Sequence, residues 1–109
     1  MRQIIALLVF SALVALQPAT ARAQDFKLTI KDHKFTPEEI KVPANTRVVI
    51  TIFNEDASAE EFDSSALKVE KVIAGKSSGT VRIGPLKPGR YPFIGEFHEA
   101  TAKGVVIAE

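Results

Sequence analysis

Val48-Val49-Ile50-Thr51-Ile52-Phe53 decides the fold class, because Val48, Ile50 and Ile52 alternate along it with Val49, Thr51 and Phe53. A period of two puts each set of side chains on its own face of a strand, whereas an amphipathic helix would space its apolar residues three and four apart. The same period extends in both directions. Phe26, Leu28 and Ile30 alternate with Lys27, Thr29 and Lys31, and Val81 and Ile83 alternate with Thr80 and Arg82. Between these runs lie Pro43-Ala44-Asn45-Thr46, Ala74-Gly75-Lys76-Ser77-Ser78-Gly79 and Gly84-Pro85-Leu86-Lys87-Pro88-Gly89-Arg90, rich in the residues that turns require. Thr36-Pro37-Glu38-Glu39 has the form of a capping box, but Pro43 follows too soon for a helix, so a turn leading into a short strand over 39–42 is expected. Residues 63–72 fit a helical turn or a strand. Short strands punctuated about every 10 residues predict an all-β sandwich or barrel.

The N-terminus belongs to a different regime. Met1-Arg2-Gln3 precedes an apolar run, Ile4 to Leu16, interrupted only by Ser11, and Ala21 and Ala23 then stand in the A-x-A arrangement. That run is shorter than the roughly 20 residues a membrane span needs. Residues 1–23 are therefore expected to be a secretory signal peptide, with 24–109 as one exported domain. Cleavage would remove two Arg and no acid, leaving 12 basic and 13 acidic groups, net −1. No strong field remains to recruit nucleic acid or an anionic membrane, and no membrane-spanning segment is expected in the mature chain. The absence of Cys excludes disulfides, a thiolate nucleophile and thiolate-bound metal, and the one Met is residue 1. The core alone has to stabilise so small a domain.

The chemistry-bearing residues are few. The chain has two His, His33 and His98, the second within Gly95-Glu96-Phe97-His98-Glu99, where an extended backbone would put Glu96 and His98 on one side. The second cluster is Glu55-Asp56-Ala57-Ser58-Ala59-Glu60-Glu61-Phe62-Asp63, with five acids in nine residues directly after the Val48 strand. A charge run of this kind suits a solvated loop. It also suits ligand presentation, because Glu61 and Asp63 flank Phe62 at period two and the ring can anchor the segment. A one-residue slip exchanges Glu60 for Glu61 as the inward carboxylate, and the pattern leaves that choice open. Carboxylate and imidazole without sulfur form a hard to borderline donor set, suited to iron, Mn, Cu(II) or Zn and poorly suited to Cu(I). The serines lack the G-x-S-x-G setting of a nucleophile elbow, and no phosphate loop is present.

Phe35-Thr36-Pro37-Glu38-Glu39-Ile40-Lys41-Val42-Pro43-Ala44, the run from Val48 to Asn54-Glu55-Asp56, Gly89-Arg90-Tyr91-Pro92-Phe93, His98 and Gly104-Val105-Val106-Ile107 together resemble a cupredoxin. The resemblance spans nearly all of the mature chain and implies a Greek-key β-sandwich. Copper-binding members use a His, a Cys, a second His and usually a Met. Matched by position, these fall on Glu60, Gly95, His98 and the neighbourhood of Thr101, so three of the four are absent and a type 1 blue-copper site is not expected. Glu60-Glu61-Phe62-Asp63, Lys71-Val72-Ile73 and Gly84 to His98 are more narrowly similar to the EfeO-type cupredoxin-like domain. That group includes small periplasmic proteins found with bacterial high-affinity iron permeases. In it a Glu before an aromatic replaces the copper His, as in Glu61-Phe62, and a ligand-type residue stands on the first strand, as His33 does. The resemblance implies a copper or iron ion as cofactor and an iron permease or other transport component as partner. The associated activity is delivery, or ferroxidase-type oxidation, of ferrous iron. The metal ligands would come from His33, Glu60, Glu61, Asp63, Glu96 and His98. The competing expectation is a docking module of the same fold with no bound metal.

Overall fold

A computed structural model describes residues 24–109. The expected signal peptide, 1–23, lies outside the described residues. The described chain forms nine strands: β1 Gln24–Lys31, β2 Lys34–Thr36, β3 Glu39–Val42, β4 Val48–Asn54, β5 Glu60–Ser64, β6 Val69–Ile73, β7 Ser77–Ile83, β8 Gly89–Gly95 and β9 Lys103–Ala108. One sheet has the order β2-β1-β4-β7 and the other β3-β9-β8-β5-β6. Two sheets face to face, with the chain crossing between them, make the all-β sandwich that the alternating runs predict. The capping-box segment is indeed a turn leading into β3, whereas 63–72 resolves as two strands joined by a tight turn rather than a helix.

Each face follows from the pleat. Leu28 and Ile30 on β1, Ile50 and Ile52 on β4, and Val81 and Ile83 on β7 point inward from the first sheet. They meet Phe62, Phe93, Val106 and Ile40 from the second. At the centre Phe35, Phe62 and Phe93 form an aromatic triangle. Phe35 meets the other two rings edge-on at centroid distances of 6.1 and 5.0 Å, and Phe62 and Phe93 lie 4.8 Å apart. Edge-to-face contacts of this kind stabilise beyond simple area burial.

Two connections shape the end of the sandwich where the candidate site lies. The β1–β2 hairpin turns on Asp32 and His33, whose φ values of 51° and 57° are both left-handed. Positive φ at both central residues is the type I′ geometry that matches strand twist, and Asp and His tolerate it better than β-branched residues do. Between β8 and β9 the chain does not stay extended. Glu96–His98 coil into one 3-10 turn, so Glu96 and His98 project in different directions, not to one side as an extended segment would have placed them.

Gly104 faces Phe93 across the β8–β9 ladder, and a Cβ built there would collide with that ring and with the Glu38 carbonyl oxygen at 2.8 Å. The large ring and the missing side chain are one packing unit. Replacing Gly104 with Ala is expected to lower unfolding stability by about 1–3 kcal/mol through overpacking, as read from the midpoint in urea at unchanged m-value.

Candidate metal centre

The site is built from two turns and one strand end. His33 is carried by the β1–β2 turn, Glu60 opens β5, and His98 closes the 3-10 turn after β8. The imidazoles of His33 and His98 stack face to face, with centroids 3.5 Å apart and planes within 9° of parallel. Behind them Glu60, only 1% exposed, places Oε2 2.6 Å from Nδ1 of His98. Its Oε1 accepts the backbone N–H groups of Glu61 at 3.0 Å and Phe97 at 2.9 Å. Burying a carboxylate is costly unless its oxygens are partnered, and here two backbone donors and the His98 ring supply that compensation.

Gly95 makes room for this carboxylate. A Cβ at position 95 would stand 2.6 Å from both Cδ of Glu60 and Cβ of Ala102. The space beside position 95 is thus filled by Glu60, and without any Cys the arrangement does not fit a blue-copper site. The polar side chains gathered here are two imidazoles and the buried carboxylate behind them. In kind they fit a borderline cation such as Cu(II) or an iron ion.

His33 is held from beneath by a carboxylate that the sequence did not single out. Asp56 accepts the N–H of Asp32 at 2.8 Å and that of His33 at 3.0 Å, satisfying both donors of the turn. Asp56 is itself aimed by Asn54, whose Oδ1 accepts the Asp56 N–H at 3.1 Å. The Asn54 amide donates in turn to the carbonyls of Ser58 at 2.9 Å and Ile73 at 3.1 Å. Asn54-Glu55-Asp56 is therefore a clamp between the His33 turn and the approach to Glu60. An Asn two residues before an Asp at a strand end is the sequence signal that could have identified it. Ser58 Oγ also approaches Nε2 of His33, at 3.5 Å.

The six residues named from sequence divide into two groups. His33, Glu60 and His98 come together. On β5 the burial alternates so that Glu60, Phe62 and Ser64 face the core while Glu61 and Asp63 face outward. Glu61 has Glu96, Glu70 and Asp63 as neighbours, forming an acidic outer corner. The register that the sequence left open is thus fixed with Glu60 inward. A depression of about 790 Å³ lies on the far side of the Asp56 clamp: Asp32, Asn54 and Asp56 line it together with Lys27, Lys31 and Lys76, and His33, Glu60 and His98 do not.

Two carboxyls here respond to pH in opposite senses. The Asp56 pKa is lowered, first by the His33 N–H bond, so Asp56 contributes stability above the ordinary carboxylate range that is lost as pH falls through its folded-state value. The Glu61 pKa is raised, first by desolvation and then by the neighbouring Glu96, so its ionisation costs stability as pH rises through the carboxylate range. Asp56→Ala is accordingly expected to lower the melting temperature at neutral pH and Glu61→Gln to raise it. Both differences should close in acid, below the folded-state pKa values, where thermal melts followed by circular dichroism would register the convergence.

Comparison with known proteins agrees with the architecture. A solved metal-binding domain of the Cu(I)-exporting P-type ATPase CopA of Streptococcus pneumoniae D39, with Cu(I), superposes with a TM-score of 0.69. It is 16% identical, over 78% of this chain and 84% of that one. Auracyanin A, a "blue" copper protein of Chloroflexus aurantiacus, gives a TM-score of 0.68 at 14% identity, over 81% of this chain and 100% of that one. At such identities the likeness is one of fold. An uncharacterized protein of Rickettsia prowazekii (strain Madrid E), RP394, is 43% identical over 83 residues, 76% of this chain and 66% of the relative's own length. The chain thus spans just under two thirds of that relative. The family model for the cupredoxin-like domain matches residues 3–108, and with the two-sheet sandwich observed, the chain belongs to the cupredoxin-like domain family.

Proposed function

We propose that this protein is a periplasmic binder of a borderline metal ion, Cu(II) or iron, that assists iron uptake, with His33 and His98 as its metal donors. The observation that carries this reading is the convergence of the chain's two imidazoles, 65 residues apart in sequence, at 3.5 Å from one another, over a buried carboxylate. A core His in a bland role would need neither a second imidazole against its face nor a buried negative charge behind it. The negative charge favours a cation at the exposed edge of the pair, and the absence of sulfur favours an oxidised metal over Cu(I).

The physiological part of the proposal rests on the resemblance to iron-permease-associated cupredoxin-like proteins. It is that the bound ion is delivered to, or oxidised on the way to, a membrane permease. Oxygen consumption on adding Fe(II) to metal-loaded protein distinguishes an oxidase from a carrier. Export through an N-terminal signal peptide is part of the same proposal. Among the described residues no helix is long and apolar enough to cross a membrane.

A second reading, a docking module without metal, is favoured by one feature of the geometry. Both oxygens of Glu60 are already partnered within the protein, and the two rings stack instead of pointing at a common centre. Among the described residues no group of three or more His, Asp or Glu side chains is disposed to hold an ion. Binding of one ion by both imidazoles would thus require the stack to open.

Titration of the purified protein with Cu(II) at neutral pH separates the readings. The metal reading predicts one ion per chain, with affinity reduced at least ten-fold in His98→Ala and in His33→Ala and falling in acid as imidazole donors take up protons. Affinities unchanged by both substitutions would overturn it, and no binding by the native protein would leave the docking module.

A further inference from the structure

The two oxygens of Glu60 face different partners, and the difference fixes the chemistry of His98. Oε1 meets two backbone amides, those of Glu61 and Phe97, which only donate. Oε2 meets Nδ1 of His98 at 2.6 Å, the length of a strong charge-assisted hydrogen bond. With its charge on, the carboxylate accepts at both oxygens, as Oε1 does from the two amides, and the proton of the bond at Oε2 then resides on Nδ1. A neutral imidazole protonated at Nδ1 keeps its single free lone pair on Nε2.

We infer that Glu60 is a positioning residue, not a metal ligand: it locks His98 in the Nδ1–H tautomer and so makes Nε2 the atom that His98 offers to a metal. This inference rests on the metal-binding reading above and deepens it. Ligation through Nδ1 would have to break the Glu60 bond and leave a carboxylate oxygen without a partner in a residue that is 1% exposed. Ligation through Nε2 keeps the bond. It also increases the basicity of the donor, as carboxylates do when they stand behind metal-bound imidazoles.

The same geometry makes Glu60→Gln an inversion of the tautomer instead of a simple deletion. The position of Oε1 faces two N–H donors, so the amide oxygen of a Gln has to occupy it. The NH2 group then replaces Oε2 and points its hydrogens at Nδ1 of His98. Nδ1 becomes the acceptor, the ring proton moves to Nε2, and the lone pair offered to metal is masked. Gln has nearly the volume of Glu, so the packing around Gly95 and Ala102 is preserved.

The test is proton–nitrogen correlation NMR of the histidine rings in metal-free protein at about pH 8, well above the ordinary imidazole pKa. Native His98 is expected in the Nδ1–H form and the Glu60→Gln protein in the Nε2–H form. Cu(II) titration of the same samples should show affinity lowered by about ten- to a hundred-fold in the variant. Native His98 in the Nε2–H form would overturn the inference, as would a native tautomer retained in the variant. An inverted tautomer with unchanged Cu(II) affinity would overturn the Nε2 assignment while leaving the metal reading intact. An inverted tautomer in a pair of proteins that bind no Cu(II) would leave Glu60's control of the ring standing and remove the metal reading. If the variant does not fold, the native tautomer alone decides between support and refutation.

Discussion

A carboxylate taken out of water must find donors for both oxygens, and at Glu60 that requirement organises the whole end of the sandwich. Oε1 is bonded by the amides of Glu61 and Phe97, which draws the 3-10 turn after β8 against the start of β5. Oε2 is bonded by His98, which fixes that ring over the pole. Removing one partner would leave a buried charge uncompensated, which costs several kcal/mol, so these contacts form together or not at all. Gly95 is a condition of the arrangement because its missing side chain is the space the carboxylate occupies. Gly95 and Glu60 form a single packing unit. A side chain at position 95 would clash with the carboxylate.

The opposite side of the pole is organised by smaller forces acting in series. Asn54 is 2% exposed and ties its own loop to β6 and to Asp56. Asp56 bonds both amides of the Asp32-His33 turn, a conformation that non-glycine residues adopt at some cost and that such bonds offset. His33 is delivered to His98 by this chain of contacts, not by the core. The two imidazoles therefore come from mounts of unequal stiffness. His98 is bonded to a buried residue, and His33 rides on a hairpin held from one side. If the stack has to open for a cation to enter, the hairpin is the side with freedom to move.

Strands β1, β3, β4 and β7 were legible from single residues, whereas 63–72 fitted a helical turn as well as a strand. Val48, Ile50 and Ile52 alternate cleanly because one face of β4 is fully buried, and β3 was readable because Pro43 follows Val42 too closely for a helix. The pole was less legible, for identifiable reasons. Glu60 and Glu61 are chemically identical neighbours, and only the strand register assigns one to the core and the other to the acidic corner. The 3-10 turn after β8 carries Glu96 away from His98, and no local pattern in Glu96-Phe97-His98 announces it. Asp56 was visible as a member of an acidic run, but its task depends on a turn 23 residues upstream. The ring stack of His33 on His98 is a tertiary contact with no local trace at all.

The cupredoxin-like sandwich in this chain thus carries a pole of two imidazoles and a buried carboxylate. The fold supplies two loops at fixed separation, and the residues on them decide what is bound. The two imidazoles, backed by Glu60, are proposed as the donor set for a borderline cation. X-ray absorption spectroscopy of protein loaded with one equivalent of Cu(II) tests it most directly. The expected spectrum has a first shell of nitrogen and oxygen with the outer-shell scattering of two imidazole rings and no sulfur. A spectrum lacking imidazole scattering, or a protein that retains no copper after desalting, would contradict it.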